Sequence, residues 1–287
     1  MSEAQEFGIE EFGEGQVTYQ RTGFKGRVAW VTMNRPQYRN AQSRLLREGL
    51  DEAFEAANND NDVRVIVLAG AGEHWSSGHD LGTKEELADQ AARPYPDGVH
   101  GERHKSWEQN VANTFRWRDV PKPTIAAVHG FVIYGGWIIA SAMDLIVAAD
   151  DTRFLPGHVQ YFSVPWELGP RKTKEILWRA QFVDADAALQ AGFVNHVVPR
   201  ADLETFALDL ANDICRQDPL TAAMIKRSVN QMQDRMGYRD SIEAAHGNYM
   251  VLQVGGAVRG DDAEAASKRL PGVEAALASE QHEASDT

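Results

Sequence analysis

The sequence is poor in cysteine, poor in positive charge, and free of the usual glycine signatures of nucleotide binding. A single Cys215 in 287 residues leaves no internal disulfide and no metal site built on several thiolates. Against 42 acidic residues stand 29 basic ones, a formal net charge of −13. That balance argues against a general nucleic-acid or anionic-membrane binder, though not against a small anion held in a local basic site. Neither GxxxxGK[ST] nor GxGxxG occurs, so no phosphate loop or dinucleotide fingerprint is present. The acidic, polar start (Met1 to Glu6) has no basic or apolar region of a secretory leader. The expectation is a soluble, cytoplasmic protein without a membrane partner.

What is there is enough apolar sequence, 43% of the chain, to build a sizeable core. Residues 124–149 are apolar enough to resemble a membrane span. His129, the Gly135-Gly136 break and Asp144 point instead to a buried strand, a glycine turn and a buried helix. Upstream, residues 16–20 and 27–33 read as strands around a Gly23–Gly26 turn. Ser43 to Asn58 reads as an amphipathic helix capped by Ser43, with Leu45, Leu46, Leu50, Phe54 and Ala57 at three- and four-residue spacings. Residues 63–69 form a short continuous apolar run, the pattern of a strand covered on both faces. Such alternation indicates an α/β fold with crossover connections.

Residues 82–119 are a polar excursion with helical patches at 84–92 and 106–117, the kind of insertion that forms a lid or pocket wall. Residues 171–179, 184–191, 201–216 and 220–236 then read as helices, with Asp184 and Asp218-Pro219 as start signals. The domain reading is an N-terminal extension over 1–15, an α/β core over 16–200, a helical region over 201–255 and an acidic, loosely held tail over 256–287.

Two glycine-containing turns follow two apolar strands: Ser76 to Leu81, and His129 to Gly136. Backbone N–H groups at such turns lack ladder partners, and a helix start favours negative charge. Two of them converging would stabilise an oxyanion. The other reading of Gly135-Gly136 is close strand–helix packing, and spacing alone leaves both open.

In their order and spacing, several pieces together resemble the crotonase (enoyl-CoA hydratase/isomerase) superfamily over about residues 16 to 255. They are Asn34-Arg35-Pro36 with Arg39-Asn40-Ala41, Val65 to Gly70, Ser77-Gly78-His79-Asp80-Leu81, Lys122 to Gly130, Tyr134-Gly135-Gly136, Asp144 to Ala149, Phe154, and Ala191 to Asn195. The resemblance implies a ββα spiral core and a C-terminal helical region that drives trimerisation, often as a dimer of trimers. It also implies an acyl-CoA thioester, with coenzyme A entering as part of the substrate and no separate cofactor or metal. The oxyanion donors would be the N–H groups of His79 and Gly135, each worth ~3–4 kcal/mol in the transition state. Arg39, Ala41, Ser77, His79, Asp80, Leu81, Gly135, Gly136 and Trp137 would face the coenzyme A and acyl parts. Arg39 is open to two readings, a phosphate partner or a solvated loop arginine; Asp80 reads more as a turn-stabilising residue than as an acid.

The chain departs from that pattern where family hydratases carry two glutamates. Ile138 stands at the first position and His158 at the second, and residues 132–144 contain no glutamate. His158 is a candidate acid/base or a structural histidine. Glu167 is a candidate proton carrier or a helix-start carboxylate. Tyr134 takes the place of the first glycine of the usual triple, where its hydroxyl can donate a hydrogen bond. Trp75, Tyr134, Trp137, Tyr161, Phe162 and Trp166 suggest an aromatic pocket, with His104 and Trp107 available to close over it. Enoyl-CoA hydratase/isomerase-type lyase chemistry with a non-standard acid/base is the leading expectation. A hydrolase or C–C-cleaving enzyme acting on a CoA ester or β-diketone, and a catalytically inactive acyl-CoA-binding homologue, are the alternatives.

Overall fold

Alternating short apolar runs and amphipathic segments give the molecule its layers. The computed structural model describes residues 7–157 and 159–259. Its strands are β1 (Ile9–Phe12), β2 (Val17–Thr22), β3 (Val28–Met33), β4 (Val65–Gly70), β5 (Thr124–Val128), β6 (Phe131–Ile133), β7 (Leu145–Ala149), β8 (Arg153–Leu155), β9 (Val183–Asp184) and β10 (His196–Val198). Its helices are α1 (Arg44–Asn59), α2 (Lys84–Ala92), α3 (Gly98–Trp107), α4 (Asn113–Asp119), α5 (Gly135–Ala142), α6 (Val164–Leu168), α7 (Pro170–Arg179), α8 (Ala185–Ala191), α9 (Leu203–Ile214), α10 (Pro219–Arg235) and α11 (Tyr238–Arg259).

A seven-stranded sheet runs β1-β2-β3-β4-β5-β7-β10, and a smaller sheet runs β6-β8-β9. The first three strands pair antiparallel; from β3 onward the large sheet is parallel. Parallel neighbours require crossovers, and α1, the excursion and α5 supply them. After β5 and after β7 the chain steps into the small sheet, as β6 and β8. The same step is taken earlier by single bridges, Gln42 to His79 and Ser76 to Val132. The sequence has no internal repeat, yet the geometry does: each turn of the chain leaves a large-sheet strand, touches the second layer and returns. This is the expected ββα spiral.

Strand β4 is apolar throughout because both of its faces are covered. Ile66 and Leu68 join Leu46, Leu50 and Ile139 in the main core, while Val65 and Val67 join Leu203, Ala207 and Ala211 of α9 on the other side. Caps fall where the sequence places them. Ser43, Asp184 and Asp218 accept the N–H groups of Leu46, Ala187 and Thr221.

Three boundaries differ from the sequence reading. Residues 9–12 are not an extension but an edge strand; their side chains are mostly exposed, and backbone pairing with β2 holds them. Residues 131–133, taken as a turn, form β6. The excursion is helical through most of its length, with α3 passing into α4 through a single π-type turn at Glu108–Ala112. The tail reading falls largely on residues 260–287, which lie outside the described residues. No helix among the described residues is long and apolar enough to cross a membrane.

Candidate active site

Two strand-to-turn junctions meet at the start of α5. The segment after β4 passes so close to the end of β6 that a Cβ on Gly78 would lie 2.8 Å from the Ile133 carbonyl oxygen and 3.3 Å from the Gly135 nitrogen. Gly78 also adopts φ +93°, so this approach is open only to glycine. The parallel bridge at Gln42 uses the Gly78 carbonyl and the Asp80 N–H on either side of His79. The His79 N–H is therefore left without an acceptor among the described residues. The Gly135 N–H, first in α5, is likewise unpaired. Two free donors beside one helix start can hold one oxyanion.

The walls around this point are tight. A Cβ on Gly135 would meet Gln42 Oε1 at 2.5 Å and the His79 ring at 2.9 Å. Tyr134 occupies φ +47°, ψ −99°, a strained backbone for an aromatic residue. Its ring lies over Gly157, where a Cβ would come within 2.6 Å of Cδ1. Burial raises the Tyr134 phenol above its ordinary value, so it stays protonated.

The His79 imidazole is wedged between two polar partners. Its Nε2 meets Gln160 Oε1 at 3.0 Å and its Nδ1 meets Arg47 Nη1 at 3.2 Å. The Arg47 guanidinium can only donate, so Nδ1 accepts and Nε2–H donates to Gln160. Burial, then the Arg47 charge, push the imidazole down to about 3. At neutral pH it is an uncharged, positioned group and not a proton donor of ordinary strength.

The loop bearing Arg39, Asn40 and Ala41 is locked from below. Asn40 donates to the carbonyls of Ala71 and His74 and accepts the Arg35 N–H, and the Ser77 N–H donates to the Arg39 carbonyl. Arg39 itself is exposed and forms no ion pair among the described residues. Leu81 is exposed beside it, and Ser77 is half-buried. The Asp80 side chain is turned into the protein. Its carboxylate pairs with Arg35 at 2.6 Å, both side chains 1% exposed, and caps Gly82 and Thr83. Burial alone would raise it; the Thr83, Gly82 and Arg35 hydrogen bonds hold it below the usual carboxylate range. The Asp80 carboxylate thus stabilises the turn, while the expectation that residues 79–81 face coenzyme A concerns their main chain.

One turn into α5 the surroundings become aromatic. Ile138 packs with Val111, Phe115, Tyr161, Tyr238 and Ile242, with Trp107 and Trp166 against them. Trp137 is not in this group. Its ring stacks on Phe193 at 4.1 Å, inside the main core, as does the fully buried Trp75. Both were expected at the pocket; the helix turns the Trp137 side chain inward instead. The indole nonetheless has a polar consequence: Nε1–H donates to Glu167 Oε2 at 2.7 Å. Burial pushes the Glu167 carboxyl up to about 8. Glu167, Trp166, Ser141 and Tyr238 border a cavity of about 600 Å³. A carboxyl distant in sequence thus meets the Trp137 side chain of α5, and the cavity it borders runs along Ser141 toward the end of that helix. His104 meets Tyr95 edge-on within the excursion, and Trp107 meets His246 of α11 edge-on. His158 lies outside the described residues.

The sequence reading missed Gln42, Arg47 and Gln160. Arg47 follows Arg44 by three residues on α1, beside the apolar stripe, and that spacing is the one signal available. No group of histidine, cysteine and carboxylate side chains able to hold a metal occurs among the described residues.

The family model for enoyl-CoA hydratase/isomerase matches residues 23–253. The chain belongs to this family. An enoyl-CoA hydratase/isomerase-family protein of Mycobacterium tuberculosis, named as the enoyl-CoA hydratase EchA13, is 39% identical over 237 residues, covering 76% of this chain and 74% of that one. The short-chain-enoyl-CoA hydratase of Clostridium acetobutylicum is 30% identical, over 72% of this chain and 79% of its own. Among solved structures, one titled an enoyl-CoA hydratase from Mycobacterium smegmatis superposes with a TM-score of 0.75 at 34% identity, covering 84% of this chain and 95% of that chain. The fold is accordingly the crotonase-like α/β fold that the motifs imply, and the protein is an enzyme of this family.

Proposed function

We propose that the protein binds an acyl-CoA thioester with its carbonyl oxygen between the His79 and Gly135 N–H groups. Glu167 then carries a proton to or from the neighbouring carbon. The observation that carries this reading is the convergence at Gly78: two unpaired N–H groups side by side at a helix start. They draw electron density onto the carbonyl oxygen and stabilise the enolate that forms when the α-proton leaves. Glu167 fits the proton-carrying role because its raised pKa places both protonation states near neutrality.

Double-bond isomerisation needs one group that takes a proton and returns it at another carbon. Hydration needs water activated and a proton delivered. With Ile138 at the position of the first family glutamate, isomerisation is the better supported member of the pair. The exposed Arg39 and Leu81, with the half-buried Ser77 and the main chain at Ala41, would line the path of the coenzyme A, with Arg39 available to a phosphate.

Helix α10 exposes Leu220, Met224, Ile225, Val229 and Met232, with Met236 just past its end. A face of this kind favours burial against copies of the chain, which supports a homotrimer or dimer of trimers, measurable by light scattering. The aromatic packing at Ile138 favours one second reading, a catalytically inactive acyl-CoA-binding protein.

A panel of 2-enoyl-, 3-enoyl-, 3-hydroxyacyl- and 3-ketoacyl-CoA esters tests the proposal. Turnover of 3-enoyl or 2-enoyl esters is expected. Binding without turnover of any ester would favour the inactive reading, and absence of binding would overturn both.

A further inference from the structure

A second cavity begins at Tyr134, the residue before the Gly135 donor. It is about 330 Å³ in volume and is walled by Tyr134, Leu155, Val159, Phe162, Leu177 and Leu252. Tyr134 packs against Ile133 and Leu155 of the small sheet, and its Cβ stands 3.4 Å from where a Cβ on Gly78 would lie. The cavity wall therefore starts at the same junction as the two N–H groups proposed to hold the thioester oxygen.

The far wall, from α7 and α11, presents hydrocarbon. The Thr173 hydroxyl is committed to the Gly169 carbonyl. Lys174 is exposed at the rim, where its stem can lie on the apolar wall with the ammonium in water. Trp178 of α7 and Leu252 of α11 also border the cavity, yet are 82% and 55% exposed, which places them at its mouth. Large apolar side chains left exposed around one opening, on two separate elements, mark a surface kept for an apolar ligand. The larger cavity beside Glu167 suits such a ligand less well, because Arg118, Asp144 and Lys226 line it and a hydrocarbon tail would take water from their charges.

We infer that this cavity holds the tail of the acyl group, so that the protein selects CoA esters of medium chain length, about eight to ten carbons, over short ones. This rests on the acyl-CoA reading above and adds a substrate class to it. A water-sized group takes about 30 Å³, and a methylene is of similar size, so the cavity has room for at most about ten carbons. The first acyl carbons stay at the N–H groups, and those beyond pass Tyr134 toward Leu177 and Trp178.

Calorimetric titration of the full chain compares butyryl-, hexanoyl-, octanoyl- and decanoyl-CoA, for wild type, Leu177→Trp and Leu252→Trp. Burying one methylene contributes ~0.8 kcal/mol, about fourfold in affinity. The four methylenes between butyryl and octanoyl should therefore tighten wild-type binding at least tenfold. Leu177→Trp fills the cavity from α7 and should remove most of that gain while binding butyryl-CoA as wild type does. Leu252→Trp, at an exposed position where folding is not at risk, should weaken decanoyl-CoA at least threefold and leave butyryl-CoA unchanged. Equal wild-type affinity for butyryl- and octanoyl-CoA would overturn the inference whatever the variants do. So would a chain-length gain that persists in folded Leu177→Trp or, if that variant does not fold, persists undiminished in Leu252→Trp. If no CoA ester of any length binds, it is the acyl-CoA reading that fails.

Discussion

The two ends of the first turns of α5 are built from different materials. At its start, the His79 and Gly135 N–H groups are main chain, fixed by a glycine approach that admits no side chain. One turn on, Ile138 sits in an aromatic cluster, and a carboxyl, Glu167, arrives from α6 on the indole of the adjacent Trp137. The first half is backbone geometry that any sequence with the right glycines reproduces. The second half is side-chain chemistry that one substitution rewrites. A site can therefore keep its means of polarising a thioester while changing the group that moves the proton.

Substitutions on each half sharpen that contrast, and the largest effect should come from the proton carrier. Glu167→Gln should lower kcat by ~10²–10⁴-fold, the usual range for a positioned acid or base, with KM little changed. The same change should alter stability against pH. Burial raises the Glu167 carboxyl from 4.5 to about 8, so between those values the native state holds a proton that the unfolded chain has released. Stability from this source is fully present below the ordinary carboxylate value and is lost as pH rises through about 8. Between pH 5 and 9 the wild-type Tm should fall by a few degrees relative to Glu167→Gln, followed by thermal denaturation.

On the main-chain half, Gly135→Ala places a methyl against Gln42 and the His79 ring. Displacing that donor should cost ~10²–10³-fold in kcat, read by steady-state kinetics. If Gly135→Ala left the rate intact while Glu167→Gln removed it, the division between the two halves would be wrong. Next in size is the support beneath the first half. Asp80→Asn breaks a buried pair with Arg35 and should lower unfolding free energy by ~3–5 kcal/mol in urea denaturation. The smallest effect tests the link across the halves. Trp137→Phe removes the indole donor from Glu167, which should cost ~1 kcal/mol of stability and, because the carboxylate is the form that takes the proton, move the ascending limb of the pH–rate profile to higher pH.

The main-chain half was legible in the sequence because strand, glycine and helix-start signals are local. Ser43, Asp184 and Asp218 marked their helices, and Gly78 and Gly135 stood at the right distances from β4 and β5. Strands β1 and β6 were not legible. The first is polar and held by pairing alone, and the second is three residues long. Trp137 was placed in the pocket because it adjoins Ile138, but neighbouring positions on a helix point about 100° apart, enough to send one ring into the core. Arg47, His79 and Gln160 meet across stretches of chain that no local pattern connects, so the setting of the His79 ring emerges only in three dimensions.

The most direct test of the central claim is exchange at the carbon next to the thioester. A 3-enoyl-CoA ester incubated with the protein in D₂O should take up deuterium at C2, read by mass spectrometry. Glu167→Gln should slow that uptake by ~10²-fold or more while still binding the ester. No uptake by wild type with the ester bound, or an unchanged rate in Glu167→Gln, would contradict the account.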